Sequence, residues 1–419
     1  MRCIITILGL ASSANARYFC NDAEILTLLP NLKENSAINT FALLNLCQGY
    51  DIIPLYTTDS KAANLKALSQ TNSANCDAFA KARQIGDVGD FAEILAIIND
   101  IMQGYDEVIV DVSHGFRHLP MLVLTQLIIT NLQNSHKIRA ILFAKELQKG
   151  KNYEIINLKE YLDLANISYL LSTFDDNYTV ANHIQVGAKY KELLGALKGF
   201  SDNIMALNIK ELFTNFSPRL LTLLESNSLT NPAISDYASE LRGKILNLQN
   251  IYKGSPLYEF YYHLAGDLIS KNYILLGLIL LYEGVSEYIC AILRAKKPNL
   301  LARIEHYYAE KYQRDDAYLI KSFCMNLAKP KGYEKLQKRE KSINLSLSEY
   351  ESLRLAHQSI AQIDNINKLY KKLDKLRNNL AHANSGDAIT HAKPEIKNHQ
   401  NSYRRLILRG VNLRLLISQ

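Results

Sequence analysis

Over the first 160 residues, apolar positions come in short, nearly continuous runs rich in Ile and Val. CIITILGL (3–10), DIIPLYT (51–57), EVIVDVS (107–113), KIRAILFA (137–144) and YEIINL (153–158) are five such runs. Runs of this length without polar alternation predict strands covered on both faces. Between them, FAEILAIINDIM (91–102) and LPMLVLTQLIITNLQ (119–133) carry the helical period. Strand, helix and strand at this spacing predict an α/β unit with a parallel, doubly wound sheet. The last two runs are joined only by LQKGKN, so one edge of the sheet is expected to be antiparallel.

From about residue 158 the period turns helical and stays so to the end. KGSP (253–256) and KPKG (329–332) punctuate it. The expected organisation is a sheet domain over 1–160, a helical linker region over 161–255 and an all-α domain over 256–419. No repeat of 20–50 residues is present.

Composition narrows the class. With 21% charged and 48% apolar residues among 419, the chain is neither a disordered acidic polymer nor a membrane protein by composition. The longest apolar run, 273–282, is about half of the ~20 residues a span needs. No basic segment with a cleavage site opens the chain, so a cytoplasmic protein is expected. Cys3, Cys20, Cys47, Cys76, Cys290 and Cys324 are scattered without metal-type spacing and are read as buried, reduced thiols. The net charge of +7 is mild, but 329–341 holds six bases against two acids and 391–419 six against one. That clustering fits either a polyanionic partner or a solvated face.

In an open parallel sheet, ligands bind at the carboxyl ends of strands where the order reverses. Two segments are expected there. GLASSANARY (9–18) puts Gly9, Ser12, Ser13 and Asn15 in a small polar loop after the first run, which either admits a ligand to hydroxyl and amide contacts or is an ordinary strand-to-helix connection. It lacks GxGxxG, which disfavours a dinucleotide. DVSHGFRHLP (111–120) places Ser113, His114, Gly115 and Arg117 in a turn before a helix, a setting that favours phosphate. Asp111 either joins the ligand site, orients His114 or the turn's amides, or is held only for structure.

This decapeptide resembles the motif of CRISPR-associated Rossmann-fold (CARF) proteins, and YTTDSKAAN after the second run is similar to that family's strand-end Thr and small helix. Ser113 stands where Thr is commoner, and His118 where a small residue is usual. The resemblance covers roughly residues 1–200. It implies a Rossmann-like domain that pairs about a two-fold axis and binds a cyclic oligoadenylate, the tetra-adenylate favoured. Gly9, Ser12, Ser13, Asn15, Asp111, Ser113, His114, Gly115 and Arg117 are then the ligand-binding candidates.

Late in the helical half, KLRNNLAHA contains Arg377, Asn378 and His382. From 17 Arg and 10 His, this Arg-to-His spacing is expected about 0.4 times by chance, and it occurs once. With Asn after the Arg, and behind a CARF-like domain, it resembles the catalytic motif of HEPN ribonucleases. RNA carries its own nucleophile in the 2′-OH. His382 is placed to act as general base or acid and Arg377 to clamp the scissile phosphate. Asn378 lies four residues from His382 on one helical face and is placed to hold the imidazole or a phosphate oxygen. Arg377 lies about 140° round the helix from His382, which a composite site from two chains relieves. No metal and no cofactor are called for.

Other residues carry weaker readings. Glu283 and Glu287 either polarise His382 or form a solvent or interface face. His391 and His399 read as surface histidines. Lys368, Lys371, Lys372 and Lys375 either attract RNA or form a solvated face. The expected protein is a homodimeric, cyclic oligoadenylate-activated endoribonuclease that cuts single-stranded RNA to a 2′,3′-cyclic phosphate. The rival expectations are a ligand-gated regulator that binds DNA or protein, and a ring nuclease that degrades the cyclic ligand in its first domain.

Overall fold

The computed structural model describes residues 1–10, 14–70, 79–86, 91–115, 118–225, 229, 231–312, 317–327, 345–382 and 389–409. They fold into two compact units. One is Met1–Ser201 with Leu223–Ala238, the other Asp202–Thr222 with Ser239–Gln419. The helices of 161–255 are shared between these two units.

The first unit is built on an eight-stranded sheet. The five apolar runs become β1 (Arg2–Ile7), β4 (Asp51–Tyr56), β6 (Glu107–Asp111), β7 (Ile138–Gln148) and β8 (Asn152–Asn157). Three further strands, β2 (Ala16–Phe19), β3 (Glu34–Ala37) and β5 (Arg83–Gln84), complete it. The order is β3-β2-β8-β7-β6-β1-β4-β5. The central strands β4, β1, β6 and β7 are mutually parallel, and β7 meets β8 antiparallel. The hairpin is therefore internal: β2 adds parallel to β8, and β3 adds antiparallel to β2.

Helices α1 (Ala23–Leu28), α2 (Thr40–Leu44), α3 (Thr58–Gln70), α4 (Phe91–Gln103) and α5 (His118–Gln133) accompany the sheet. Alternation along the strands explains the two layers. Cys3, Ile5 and Ile7 of β1 pack with Ile94, Ile98, Leu119 and Val123 of α4 and α5. Ile4 and Ile109 face the other way, toward Ile25 and Leu43 of α1 and α2. Thr6 and Asp111, two residues further along β1 and β6, continue that second face as polar groups at the strands' carboxyl ends.

The remaining helices are α6 (Glu160–Asn177), α7 (Lys191–Met205), α8 (Ile209–Glu211), α9 (Ser217–Leu224), α10 (Pro232–Gly254), α11 (Leu257–Ser270), α12 (Ile274–Lys296), α13 (Pro298–Tyr312), α14 (Ala317–Asn326), α15 (Leu347–Gln358), α16 (Ile363–Ala381) and α17 (Ile389–Tyr403). In the second unit α12 is the core helix, contacting α11, α13, α14, α15, α16 and α17. Its 23 residues are long and apolar enough to cross a membrane, the one such helix among the described residues. Here Leu278, Leu281, Val285, Tyr288 and Leu293 are buried against its neighbours. Cys3, Cys20, Cys47, Cys290 and Cys324 are buried and unbridged, and burial pushes the Cys47 thiol up to about 11. Cys76 lies outside the described residues.

His357 of α15 is buried, its Nε2 has no partner among the described residues, and burial holds its pKa down to about 4 from 6.5. The folded-state value lies below the unfolded one, so the unfolded chain takes up a proton first as pH falls. Stability is complete above pH ~6.5 and declines toward pH ~4, by about 3 kcal/mol in all. Urea midpoints at pH 7.5 and 5 should show about 2 kcal/mol of this loss in the wild type and a smaller one in His357→Leu. Equal losses in both would contradict it.

Candidate functional site

Two loci carry the singled-out residues, one in each unit. In the first unit, β4 and β6 flank β1 on opposite sides, so the strand order reverses at β1. The loops after β1 and β6 meet there. A Cβ on Gly9 would lie 3.2 Å from His114 Cβ and 3.3 Å from the Gly115 nitrogen. Gly115 has φ +107°, and a Cβ there would run into the Ile7 side chain. Two glycines are thus what lets these loops touch.

Asp111 organises the locus. It is fully buried, and its Oδ2 accepts hydrogen bonds from the hydroxyls of Thr6 at 2.7 Å and Thr40 at 2.6 Å. Its Oδ1 accepts from the Ser113 N–H at 3.0 Å and the Ser113 hydroxyl at 2.5 Å. The Ser113 hydroxyl in turn accepts from the Ala144 N–H of β7 at 2.8 Å. Four donors occupy the carboxylate, so Asp111 shapes the turn from beneath and offers no free face to a ligand. Ser113 is tied down in the same way.

A second chain of contacts fixes the β1 loop. Asn64 of α3 donates to the Gly9 carbonyl at 2.9 Å, and Asn39 donates to Asn64 Oδ1 at 2.6 Å. Asn39 also caps α2, accepting from the Ala42 N–H at 2.9 Å. Thr57 and Ser60 close a hydroxyl turn at the end of β4, with the Thr57 N–H donating to Ser60 Oγ at 2.9 Å.

Of the candidates here, His114 is half-buried, and its Nε2, itself buried, has no hydrogen-bond partner among the described residues. Asn15 is exposed. Ser12, Ser13 and Arg117 lie outside the described residues, as does the side chain of His118. The segment 9–18 is not a strand-to-helix connection, because Ala16–Phe19 pairs with β8 and β3 as a strand. Asn39, Thr40 and Asn64 were not legible as part of this site. Their only signal is the polar pair Asn39-Thr40 before FALLNL and the last residue of YTTDSKAAN. A separate cleft of about 940 Å³, lined by Arg139, Lys159 and Asp163 among others, opens where β6 and β7 begin, away from these loops.

In the second unit, α16 carries the other motif. Ile366, Leu369 and Leu373 form its buried stripe, while Lys368, Lys371, Lys372 and Lys375 are exposed on the remainder. The helix ends at Ala381, and the His382 N–H closes the last turn on the Asn378 carbonyl at 3.0 Å. The His382 residue is exposed and makes no side-chain hydrogen bond to a described residue.

Arg377 is held, by contrast. Its guanidinium carbon lies 4.2 Å from the centre of the Tyr282 ring of α12. Its Nη2 donates to Asp374 Oδ1 at 2.9 Å and to Asn378 Oδ1 at 3.1 Å. The Asn378 side-chain Oδ1 therefore serves Arg377 and not the imidazole. Tyr282 stacks on Tyr370 with centroids 4.4 Å apart at 24°, and the two hydroxyls are hydrogen-bonded. Burial raises both phenols above their ordinary pKa.

Glu283 and Glu287 pair with Lys321 of α14 at 3.2 and 3.5 Å, not with His382. Burial disfavours charge on Lys321, but Tyr261 and the two carboxylates outweigh it and raise its pKa. His399 is buried, not a surface group, and burial lowers its pKa. The His391 side chain and the basic run 329–341 lie outside the described residues. Among the described residues no three His, Cys, Asp or Glu side chains converge to hold a metal ion.

No family model matches the chain, and no curated protein matches it. Among solved structures it is similar to Enterococcus italicus Csm6 bound to cyclic hexa-2′-fluoro-hexa-dAMP, at 13% identity and a TM-score of 0.34, covering 98% of this chain and 94% of that one.

Proposed function

We propose that this chain is a ligand-gated endoribonuclease. The first unit binds a cyclic oligoadenylate, and the second cleaves single-stranded RNA through Arg377 and His382. The observation that carries the reading is the end of α16. A held guanidinium and an exposed imidazole with no hydrogen bond to a described residue sit five residues apart on a helix whose solvent face is lined with lysines.

In this reading the lysines draw the RNA backbone by charge. Arg377 binds a non-bridging oxygen of the scissile phosphate and offsets the charge of the pentavalent transition state. His382 removes the 2′-OH proton as that oxygen attacks phosphorus, or protonates the leaving 5′ oxygen. The P–O5′ bond breaks, giving a 2′,3′-cyclic phosphate and a 5′-OH. The nucleophile comes from the substrate, so the step is written without a metal.

Arg377 points its guanidinium at Tyr282 while His382 caps the helix, which supports a composite site from two chains. A two-fold pair is further supported on the sensor side. Met121, Leu124 and Ile129 of α5, the helix that follows the candidate turn, are all exposed in the single chain. A ring of adenylates spanning such a pair would meet two copies of His114 and of the turn after β6. Ligand binding activates by favouring the paired geometry over the free one.

The test is an RNA oligonucleotide beside the same sequence with 2′-deoxy sugars. Only the RNA should be cut, and its 5′ fragments should end in 2′,3′-cyclic phosphate. Cleavage of both at equal rates would overturn the proposed chemistry.

A further inference from the structure

The ribonuclease reading leaves open what aims Arg377, a long side chain one turn before the C-terminal end of α16. Free in solvent, such a side chain samples many rotamers, and ordering it carries an entropic cost. Here the order is already built. The guanidinium lies on the Tyr282 ring at 4.2 Å, and Tyr282 lies on Tyr370 at 4.4 Å. Tyr370, Asp374 and Arg377 follow one another at i, i+4 and i+7 on one face of α16. Tyr282 stands on α12, the core helix of its unit, so the platform belongs to the rigid part of the fold.

The hydrogen bonds divide the guanidinium usefully. Asp374 and Asn378 both take Nη2, and among the described residues neither Nη1 nor Nε donates to a side chain. Those donors are what a phosphate would engage. The hydroxyls of Tyr282 and Tyr370 satisfy each other in the half-buried seam between α12 and α16, which seats the rings at a fixed height. Burial keeps both phenols protonated, so the face under the guanidinium is a neutral aromatic ring.

We propose that Tyr282, backed by Tyr370, is the positioning residue of the ribonuclease site, fixing the plane of the Arg377 guanidinium so that its free edge meets the scissile phosphate. The functional half of this inference rests on the ribonuclease reading; the structural half does not. Tyr282 touches no substrate and acts through Arg377. A ring is required, a hydroxyl much less so.

The test compares full-length Tyr282→Leu and Tyr282→Phe in ligand-activated RNA cleavage, with the thermal midpoint and the Arg Nε–Hε NMR spectrum recorded for each. The Arg377 line is assigned by its loss in Arg377→Lys. Tyr282→Leu should lower kcat about 10- to 100-fold with KM little changed, the cost of a misaimed group. Tyr282→Phe should restore kcat to within about threefold, because the stacked face is retained. The Arg377 line should shift in the Leu variant and not in the Phe variant, at similar thermal midpoints. Wild-type kcat in Tyr282→Leu would overturn the proposal, and so would an unshifted Arg377 line. If the wild type cuts no RNA while the line shifts as expected, the platform stands and the ribonuclease reading falls.

Discussion

Replacement of His382 by Ala should lower ligand-activated RNA cleavage by about a thousandfold or more, while binding of cyclic tetra-adenylate stays at the wild-type level. The size follows from proton transfer. A positioned acid or base contributes about 10²–10⁴, and no other imidazole is assigned to this step. Exposure makes the variant a clean one. His382 is exposed, and among the described residues it is the backbone N–H that supports the last turn of α16. Stability should therefore move little, since substitutions at such surface positions stay within about 0.5 kcal/mol. Arg377→Ala should be nearly as inactive through the loss of phosphate stabilisation, and should bind the cyclic ligand equally well. A His382→Ala protein that cuts RNA at even a tenth of the wild-type rate would remove the imidazole from the mechanism. The measurement is single-turnover cleavage of a fluorescent RNA beside equilibrium binding of the cyclic ligand.

The second large effect belongs to Asp111. Its carboxylate is buried with four protein donors, and Asp111→Ala would leave the Thr6 and Thr40 hydroxyls and the Ser113 N–H without their acceptor. Each buried donor left unmet costs about 1–3 kcal/mol, and partial rewiring of the hydroxyls brings the expected loss to about 3–5 kcal/mol. Ligand binding should fail with it, because the turn that carries His114 is held from below by this carboxylate. Urea unfolding followed by circular dichroism should show the loss in the first unit. A wild-type unfolding curve for Asp111→Ala would show that these hydrogen bonds are not what holds the turn. Asp111→Asn keeps the shape but sets an NH₂ group against hydrogen-bond donors, so it should fall between the two.

How much of this was legible in the chain depended on how local the signal was. The runs 51–57, 107–113, 137–144 and 153–158 predict β4, β6, β7 and β8 because a strand buried on both faces needs an unbroken apolar sequence. ARYF and ENSA give no such signal. Arg17 and Glu34, on paired strands at the sheet's edge, are exposed and meet in an ion pair at 2.8 Å, so β2 and β3 read as loop. That is why segment 9–18 is expected as a connection and turns out to contain a strand.

The sites divide along the same line. DVSHGFRHLP and RNNLAH stand out because their residues are consecutive. Thr6, Thr40 and Asn64 join the first site, and Tyr282 the second, only after the fold brings distant segments together. Asp374 and Tyr370 lie on Arg377's own helix, so their spacing was visible in advance. Their use was not, because only the ring of Tyr282 from another helix shows what that face holds. Glu283 illustrates the opposite case. Its place on the apolar helix is read either as polarising His382 or as a solvent or interface face, but it pairs with Lys321.

The central claim is that one chain couples a cyclic oligoadenylate to RNA cleavage. It is tested most directly by cutting of a fluorescent single-stranded RNA by the wild-type protein in EDTA, with and without cyclic tetra-adenylate and cyclic hexa-adenylate. The account predicts slow or absent cutting alone and fast cutting with one of the two rings, the chelator making no difference. An RNA left intact in the presence of both rings would contradict it and favour a ligand-gated regulator in its place.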